Sequence, residues 1–452
     1  MSITLRSVLG FGLMAVLILA VGAFQSWSLA LTILNMCLIS AVMALGVNVQ
    51  WGYAGLFNVG IMGFAALGGV AAVLVSVPPV PGAWSAGGFG IVSSLLALMA
   101  LVGALVFLRR ALPPGAVRTL LTLILLVGGL WLIRGIYLPA VSAIEGHESS
   151  KSGFLGGLGL PIILSWLVGG LFAAAAAWAI GKVALGLRSD YLAIATLGIS
   201  EIIIAVIKNE DWLTRGVKNV SGLDRPVFYE VELQRSPWFI EQVERFVGSS
   251  LPAAGAARDA ALRDALVTGS SLFVKLCYAG LFLAVLLLLL FLARRAQVSP
   301  WGRMMRGIRD RRDAAEAMGK DVTARHLQVF VIGSAIVGIA GAMLTTLEGQ
   351  LTPGAYNPLR FTFLIWVMVI VGGSGNNLGA VLGAFVVWFF WVEAEPLGLW
   401  LVGMITSPLP VDNMLRVHLL ENAQHTRLLM MGVVLLVMLR FSPKGLLPEQ
   451  TR

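Results

Sequence analysis

Glu201 stands alone in the middle of the apolar run Tyr191–Ile207, with Asp190 at the start of that run. A carboxylate kept charged at the centre of a bilayer costs about 2.5–3.5 kcal/mol, so it must face protein or water, as a structural anchor or as part of a pathway. Other chemistry is hard to assemble. Metal binding needs grouped histidines or carboxylates, and His147, His326, His418 and His425 are scattered. Serines are plentiful, but no Gly-x-Ser-x-Gly elbow would expose one as a nucleophile. A phosphate-cradling loop needs Gly-x4-Gly-Lys-Ser/Thr at a helix start. Gly181-Lys182 and Gly319-Lys320 are instead followed by Val183 and Asp321, without the upstream glycine. Cys37 and Cys277 lie in apolar runs and read as packing residues, not as a disulfide or metal pair. Lys275 sits near the end of such a run, where it can snorkel.

The elements that carry these residues are apolar helices. Of 452 residues, 58% are hydrophobic and 12% charged, with a mean hydropathy of +0.89. Several runs approach or exceed the roughly 20 residues needed to cross about 30 Å of hydrocarbon, so the class is an all-α, polytopic membrane bundle in the lipid bilayer, not a closed barrel. Candidate spans are Ser7–Phe24, Leu29–Val49, Leu56–Val77, Ile91–Leu108, Thr119–Leu138, Leu158–Ile180, Tyr191–Ile207, Leu272–Ala293, Val329–Leu347, Phe361–Gly372, Leu378–Val392 and Leu428–Leu439. Phe361–Gly372 is short, and both it and Leu397–Ile405 fit a re-entrant stretch as well as a crossing, so ten to twelve spans are expected. Net charge +9 is carried largely in short inter-span loops, which fits the positive-inside rule better than nucleic-acid binding. With the N-terminus inside, Arg109–Arg118, Lys182–Arg188, residues 294–326 and the tail are cytoplasmic. Residues 208–270, with eight Lys/Arg against nine Asp/Glu, are then a periplasmic insertion within one domain spanning residues 1–452.

The densest charged segment is Ser299–Arg325, SPWGRMMRGIRDRRDAAEAMGKDVTAR. Ser299 and Pro300 read as an N-cap and first helical residue. Trp301, Met304, Met305 and Ile308 form one apolar stripe, with Arg303, Arg306 and Arg309 off it. Arg309–Asp313, Arg312–Glu316 and Glu316–Lys320 are i,i+4 pairs, each worth ~0.3–0.5 kcal/mol in a helix. Gly319 is a C-terminal stop, and Gly307 a point where the segment divides in two. A solvated, topology-setting loop and an interfacial helix on anionic lipid are two readings. A docking element for a cytoplasmic partner is the third. Asp313-Ala314-Ala315 with Gly319 four residues on resembles the coupling loop of bacterial ABC importer permeases, with Asp in place of the usual Glu. Short alanines let a helix sit deep in a partner's cleft.

Two glycine-rich passages, Trp51–Gly69 and Gly372–Phe385, interrupt the apolar pattern. Close helix packing through small residues is one reading. The other is a pair of broken helices in which Gly55, Asn58, Gly373, Asn376 and Asn377 line a translocation route, with Glu201 a further pathway candidate.

The passages GYAGLFNVGIMGFAALGG, LRSDYLAIATLGISEIII, KNEDWLTRG, WGRMMRGIRDRRDAAEAMGKD, GSAIVGIAGAM, GGSGNNLGAVLGAF and RFSPKGLLPE occur in this order. Together they resemble the membrane permease of branched-chain amino acid ABC uptake systems, a family that includes urea- and amide-importing permeases. The likeness covers most of residues 30–80, 180–225 and 300–445. It implies a second homologous permease subunit, two cytoplasmic ATPase subunits that bind ATP and Mg, and a periplasmic solute-binding protein, with no cofactor on this chain. The arginine stripe, Asp313, Ala314, Ala315 and Gly319 would then couple to the ATPases. Trp212 and Arg215, in the mixed-charge stretch 208–225, would form a docking rim for the binding protein. An ion-coupled secondary transporter or channel for a small polar solute is the alternative that composition leaves open.

Overall fold

A computed structural model describes residues 3–148, 153–248, 255–407, 410, 413–422 and 425–449. The chain begins with α1 (Ile3–Phe24), α2 (Trp27–Ala54) and α3 (Ile61–Ser76). A hairpin of α4 (Phe89–Ala111) and α5 (Ala116–Gly146) follows, then α6 (Ile163–Ala184) and α7 (Ser189–Asn209). Beyond α8 (Pro237–Val247) come the long α9 (Ala256–Val298) and the short α10 (Pro300–Asp310) and α11 (Arg312–Ala317). The last group is α12 (Val322–Glu348), α13 (Pro358–Gly372), α14 (Asn377–Ile405) and α15 (Thr426–Phe441). Among the described residues, nine helices are long and apolar enough to cross a membrane, and Ile61–Ser76, Phe361–Gly372 and Arg427–Met438 are shorter apolar helices. The fold is thus the expected all-α polytopic bundle.

Three expected boundaries move. The alanine-rich part of the insertion, 251–267, reads in sequence as a disordered or lid-like insertion or a short surface helix, but from Ala256 it is the beginning of the long α9; residues 251–254 lie outside the described residues. Leu397–Ile405 is no re-entrant turn, because α14 runs through Pro396 to Ile405 as one helix. The span expected at Leu56–Val77 is helical only from Ile61, since α2 continues to Ala54 and Gly55 ends it in the left-handed region at φ 68°. There the Gly55 N–H donates to the Trp51 carbonyl, the satisfied helix end that a left-handed glycine allows.

The core gathers around α2 and α12. Lipid is as apolar as leucine, so helices in a membrane are held by close van der Waals contact, not by water exclusion. Small residues make that contact possible here. A Cβ added at Gly68 on α3 would lie 1.9 Å from the Gly338 carbonyl oxygen of α12, and one at Gly341 would lie 1.9 Å from that of Ala65. Gly169 on α6 meets the same ridge, with its added Cβ 3.0 Å from the Cα of Gly68. Gly383 brings α14 equally close to α13, at 1.9 Å from the Met368 carbonyl oxygen. For these glycines the packing reading is the one the geometry supports. The α4–α5 hairpin lies at the periphery, its helices largely exposed and joined to the core through a small cluster that includes Ala83, Ile91, Ala140 and Ile144.

The two ends of the bundle are distinct. At one end, β1 (Val220–Ser221) pairs antiparallel with β2 (Gln350–Leu351), which places the insertion beside the end of α12. At the other, α10, α11 and the chain's last described residues meet the breaks after α2 and α13.

Candidate functional site

The basic segment folds as its capping residues dictate. Ser299 adopts extended backbone angles, its Oγ accepts from the Gly302 N–H at 3.3 Å, and Pro300 opens α10. Met305 and Ile308 are buried, whereas Arg303 is exposed. The helix divides at Arg311, not at Gly307, because Arg311 leaves helical angles (φ −148°, ψ 80°). That break removes the expected i,i+4 geometry between Arg309 and Asp313. Arg312 and Glu316, both within α11, do pair at 3.0 Å. Gly319, at φ 76°, ends α11 as expected, and this left-handed turn places Lys320 beyond the helix, without the expected pairing to Glu316. Asp313 and Ala314 stand exposed on α11, Ala314 with the short side chain a partner's cleft would accept, whereas Ala315 is half-buried against the bundle's core.

Arg309 points inward. Its guanidinium donates to the Gly52 carbonyl oxygen in the last turn of α2 and pairs with Glu449 at 3.0 Å and Asp310 at 2.9 Å. Burial opposes its charge, but the Glu449 and Asp310 carboxylates outweigh burial and hold its pKa above the ordinary arginine value. Arg303 is tied back to the Val298 carbonyl at 2.9 Å. Of the three stripe arginines, Arg309 therefore joins α10 to the bundle.

Behind Arg309 lies a buried polar cluster that unites most of the glycine–asparagine candidates. Asn377 Oδ1 accepts from Tyr53 Oη at 2.6 Å and from Asn48 Nδ2 at 3.0 Å. Asn48 Oδ1 accepts from the Gly375 N–H at 2.8 Å, and Gln297 donates to the Gly375 carbonyl at 2.9 Å. Asn58 donates to Gln50 at 2.9 Å, while Gln50 donates to the Phe330 carbonyl and to Ser334, each at 3.0 Å. Gly55, Asn58, Gly373, Asn376 and Asn377 thus fall in one region, where the breaks after α2 and α13 meet. Both breaks are real, but their freed N–H groups are satisfied by protein. Asn58 Oδ1 takes the Gly60 N–H at 2.8 Å, Thr196 and Ser200 of α7 take those of Val59 and Gly63, and Asn376 Oδ1 takes those of Leu378 and Gly379. In this conformation the region is closed, as buried polar groups require when water is excluded.

The remaining candidates lie apart from that cluster. Glu201 is exposed on the outer face of α7, because the helix buries Thr196, Ser200 and Ile204. It makes no hydrogen bond or ion pair among the described residues, so of the two expected roles the structural anchor has no partner there. Glu393 fills that role instead. It is buried within α14 and accepts from Gln25, in the turn just after α1, at 2.8 Å. The Trp212 indole, expected on an open rim, turns inward and donates to Glu210 at 2.7 Å and Tyr137 at 2.8 Å, fastening α5 to the end of α7. Arg215 lies nearby in a left-handed turn at φ 60°.

Sequence reasoning passed over Asn48, Gln50, Tyr53, Gln297 and Glu449. Polar amides inside the otherwise apolar run of α2 were a readable signal for the first two. Nothing local marked Glu449, whose partner is distant in sequence.

The chain belongs to the family described as branched-chain amino acid transport system / permease component, whose model matches residues 148–439. It is a multi-pass protein of the bacterial inner membrane. Among its relatives is the high-affinity branched-chain amino acid transport system permease protein LivM of Salmonella typhimurium, 26% identical over 283 residues, covering 62% of this chain and 56% of the relative. A probable branched-chain amino acid transport permease protein LivM of Methanocaldococcus jannaschii is 29% identical over 173 residues, 38% of this chain and 45% of the relative. The xylose transport system permease protein XylH of Escherichia coli K12 is also 29% identical, over 147 residues covering 31% of this chain and 37% of the relative. The chain thus spans about half the length of the LivM relatives it matches. No solved structure matches it.

Proposed function

We propose that this chain is the permease subunit of an ATP-binding-cassette importer, moving branched-chain amino acids or related small amino acids and amides into the cytoplasm by alternating access. The observation that carries the reading is the capped, surface-standing helix pair α10–α11, bonded through Arg309 to the last turn of α2. Such a pair gives an external motor a grip on the bundle. The chain has no phosphate-cradling loop, so ATP and Mg belong to two partner ATPase subunits, and this chain is non-catalytic. Residues 294–326 face the cytoplasm, and the insertion within 208–270 faces the periplasm, where Arg215 and its surroundings offer a surface to a solute-binding protein. A second homologous permease completes the pathway, and its helices or pathway water would cover Glu201 at mid-span.

The closed polar cluster at the α2 and α13 breaks serves as a cytoplasmic gate in this reading. Its amides can exchange mutual hydrogen bonds for bonds to a passing zwitterion, whose carboxylate and ammonium suit N–H and C=O groups respectively. The experiment is purification of the intact complex. Co-elution of two ATPase chains with this one, and uptake of leucine but not xylose by that complex, is the expected outcome. A chain that transports alone, driven by an ion gradient, would replace this reading with the secondary-transporter alternative.

A further inference from the structure

Ser442–Glu449, after α15, runs as a strap across the break between α13 and α14. The Leu446 and Leu447 N–H groups donate to the carbonyls of Val371 and Gly372 at 2.8 and 2.9 Å, and Asn376 Nδ2 donates to the Pro448 carbonyl at 3.3 Å. The fit requires glycine on both sides. A Cβ on Gly373 would lie 2.4 Å from the Leu447 carbonyl oxygen, and one on Gly445 2.3 Å from the Gly373 Cα. Leu447 is buried at 1% exposure. The strap then reaches Glu449, whose carboxylate meets Arg309 at 3.0 Å. Through that one pair, α10 reaches the α13–α14 break. Through the other arm of the same guanidinium, it reaches Gly52 of α2. The second break is also bonded directly to α2, by the Gly375 N–H to Asn48 Oδ1.

We propose that this strap is a transmission element, with Glu449 the positioning residue that makes displacement of α10 a displacement of the α13–α14 break. The proposal rests on the permease reading for what the motion accomplishes, but the linkage is defined by the contacts alone. An ordinary surface ion pair contributes little, being screened and entropically costly. This pair is different in geometry: Arg309 and Glu449 are 21% and 18% exposed, and each is anchored to a separate segment. Removing the carboxylate would leave α10 bonded to α2 and joined to the α13–α14 break only indirectly, through Asn48 and Gly375.

The test uses the complete complex in proteoliposomes, with nitroxides on cysteines replacing Gly307 and Ser374. Gly307 has open space around its Cα, and Ser374 is exposed. In the otherwise wild-type complex, the interspin distance should be the same in nucleotide-free and ATP-trapped states, because the two sites move together. In Glu449→Ala it should shift on trapping. Without labels, Glu449→Ala should retain the ATPase subunits and hydrolyse ATP within about twofold of wild type, yet lower substrate moved per ATP by about tenfold, with Glu449→Asp recovering most of the loss. A distance that changes equally in both complexes overturns the proposal, as does an unchanged transport ratio in Glu449→Ala. If the distance result holds but no branched-chain amino acid is carried, the strap stands and the substrate reading falls.

Discussion

Asn377 shows how a single amide can be placed by chemistry that its neighbours in sequence do not reveal. It begins α14, yet its side chain serves α2 through Asn48 and Tyr53 and reaches α9 through Gln297. Replacing it by leucine would leave the buried Asn48 amide without its acceptor, at about 1–3 kcal/mol, and the Tyr53 hydroxyl with only the Ala293 carbonyl at 3.3 Å. We expect Asn377→Leu to lower the melting midpoint of the detergent-solubilised protein, whereas Asn377→Asp, which keeps the acceptor oxygen and gives up only the donor to Gln297, loses less. Equal melting of Asn377→Leu and wild type would show that water or rearrangement satisfies the cluster. The sequence singled out Asn58, Asn376 and Asn377 because each follows closely spaced glycines that interrupt an apolar run. It misjudged what their neighbours do, since helix-terminal N–H groups can be capped by residues far along the chain, here Thr196 and Ser200. Glu201 and Trp212 illustrate the same limit. Hydropathy shows that a residue must be accommodated; the helical face and its distant partners decide how.

Among the elements, α10 and α11 were the most legible, because capping, amphipathic spacing and glycine stops are local. The point of division was not, since it depends on the backbone of Arg311 and on the long-range capture of Arg309 by Gly52 and Glu449. The exposed face of α11 supports a direct prediction. Ala314→Glu should leave the protein inserted while abolishing pull-down of the ATPase subunit, and full retention with normal uptake would remove α11 from the docking surface. A second prediction concerns the glycine ridges. Gly341→Ala forces a Cβ against the Ala65 carbonyl, and overpacking of that kind costs about 1–3 kcal/mol. Gly103→Ala on α4, where nothing lies within 4 Å, should be neutral or slightly stabilising. Fluorescence-detected size exclusion across a temperature series would separate them, and an equally stable Gly341→Ala would mean that α3 and α12 can part without cost.

For the whole molecule, hydropathy made the polytopic class readable and basic-loop placement gave a consistent orientation. What it could not supply was the arrangement of helices, because glycine-mediated contacts join segments as remote as α3 and α12. The architecture puts the insertion beside β2 at one end and gathers α10, α11, the two helix breaks and the strap at the other. This separation is what an importer needs: substrate delivery on one face, power on the opposite one. The central claim is that the power comes from outside this chain. Its most direct measurement is leucine accumulation in proteoliposomes, comparing this chain with its permease and ATPase partners, with or without ATP, against this chain alone under an imposed proton or sodium gradient. The account predicts accumulation only in the complete complex with solute-binding protein and ATP present. Accumulation by the chain alone under the ion gradient would contradict it.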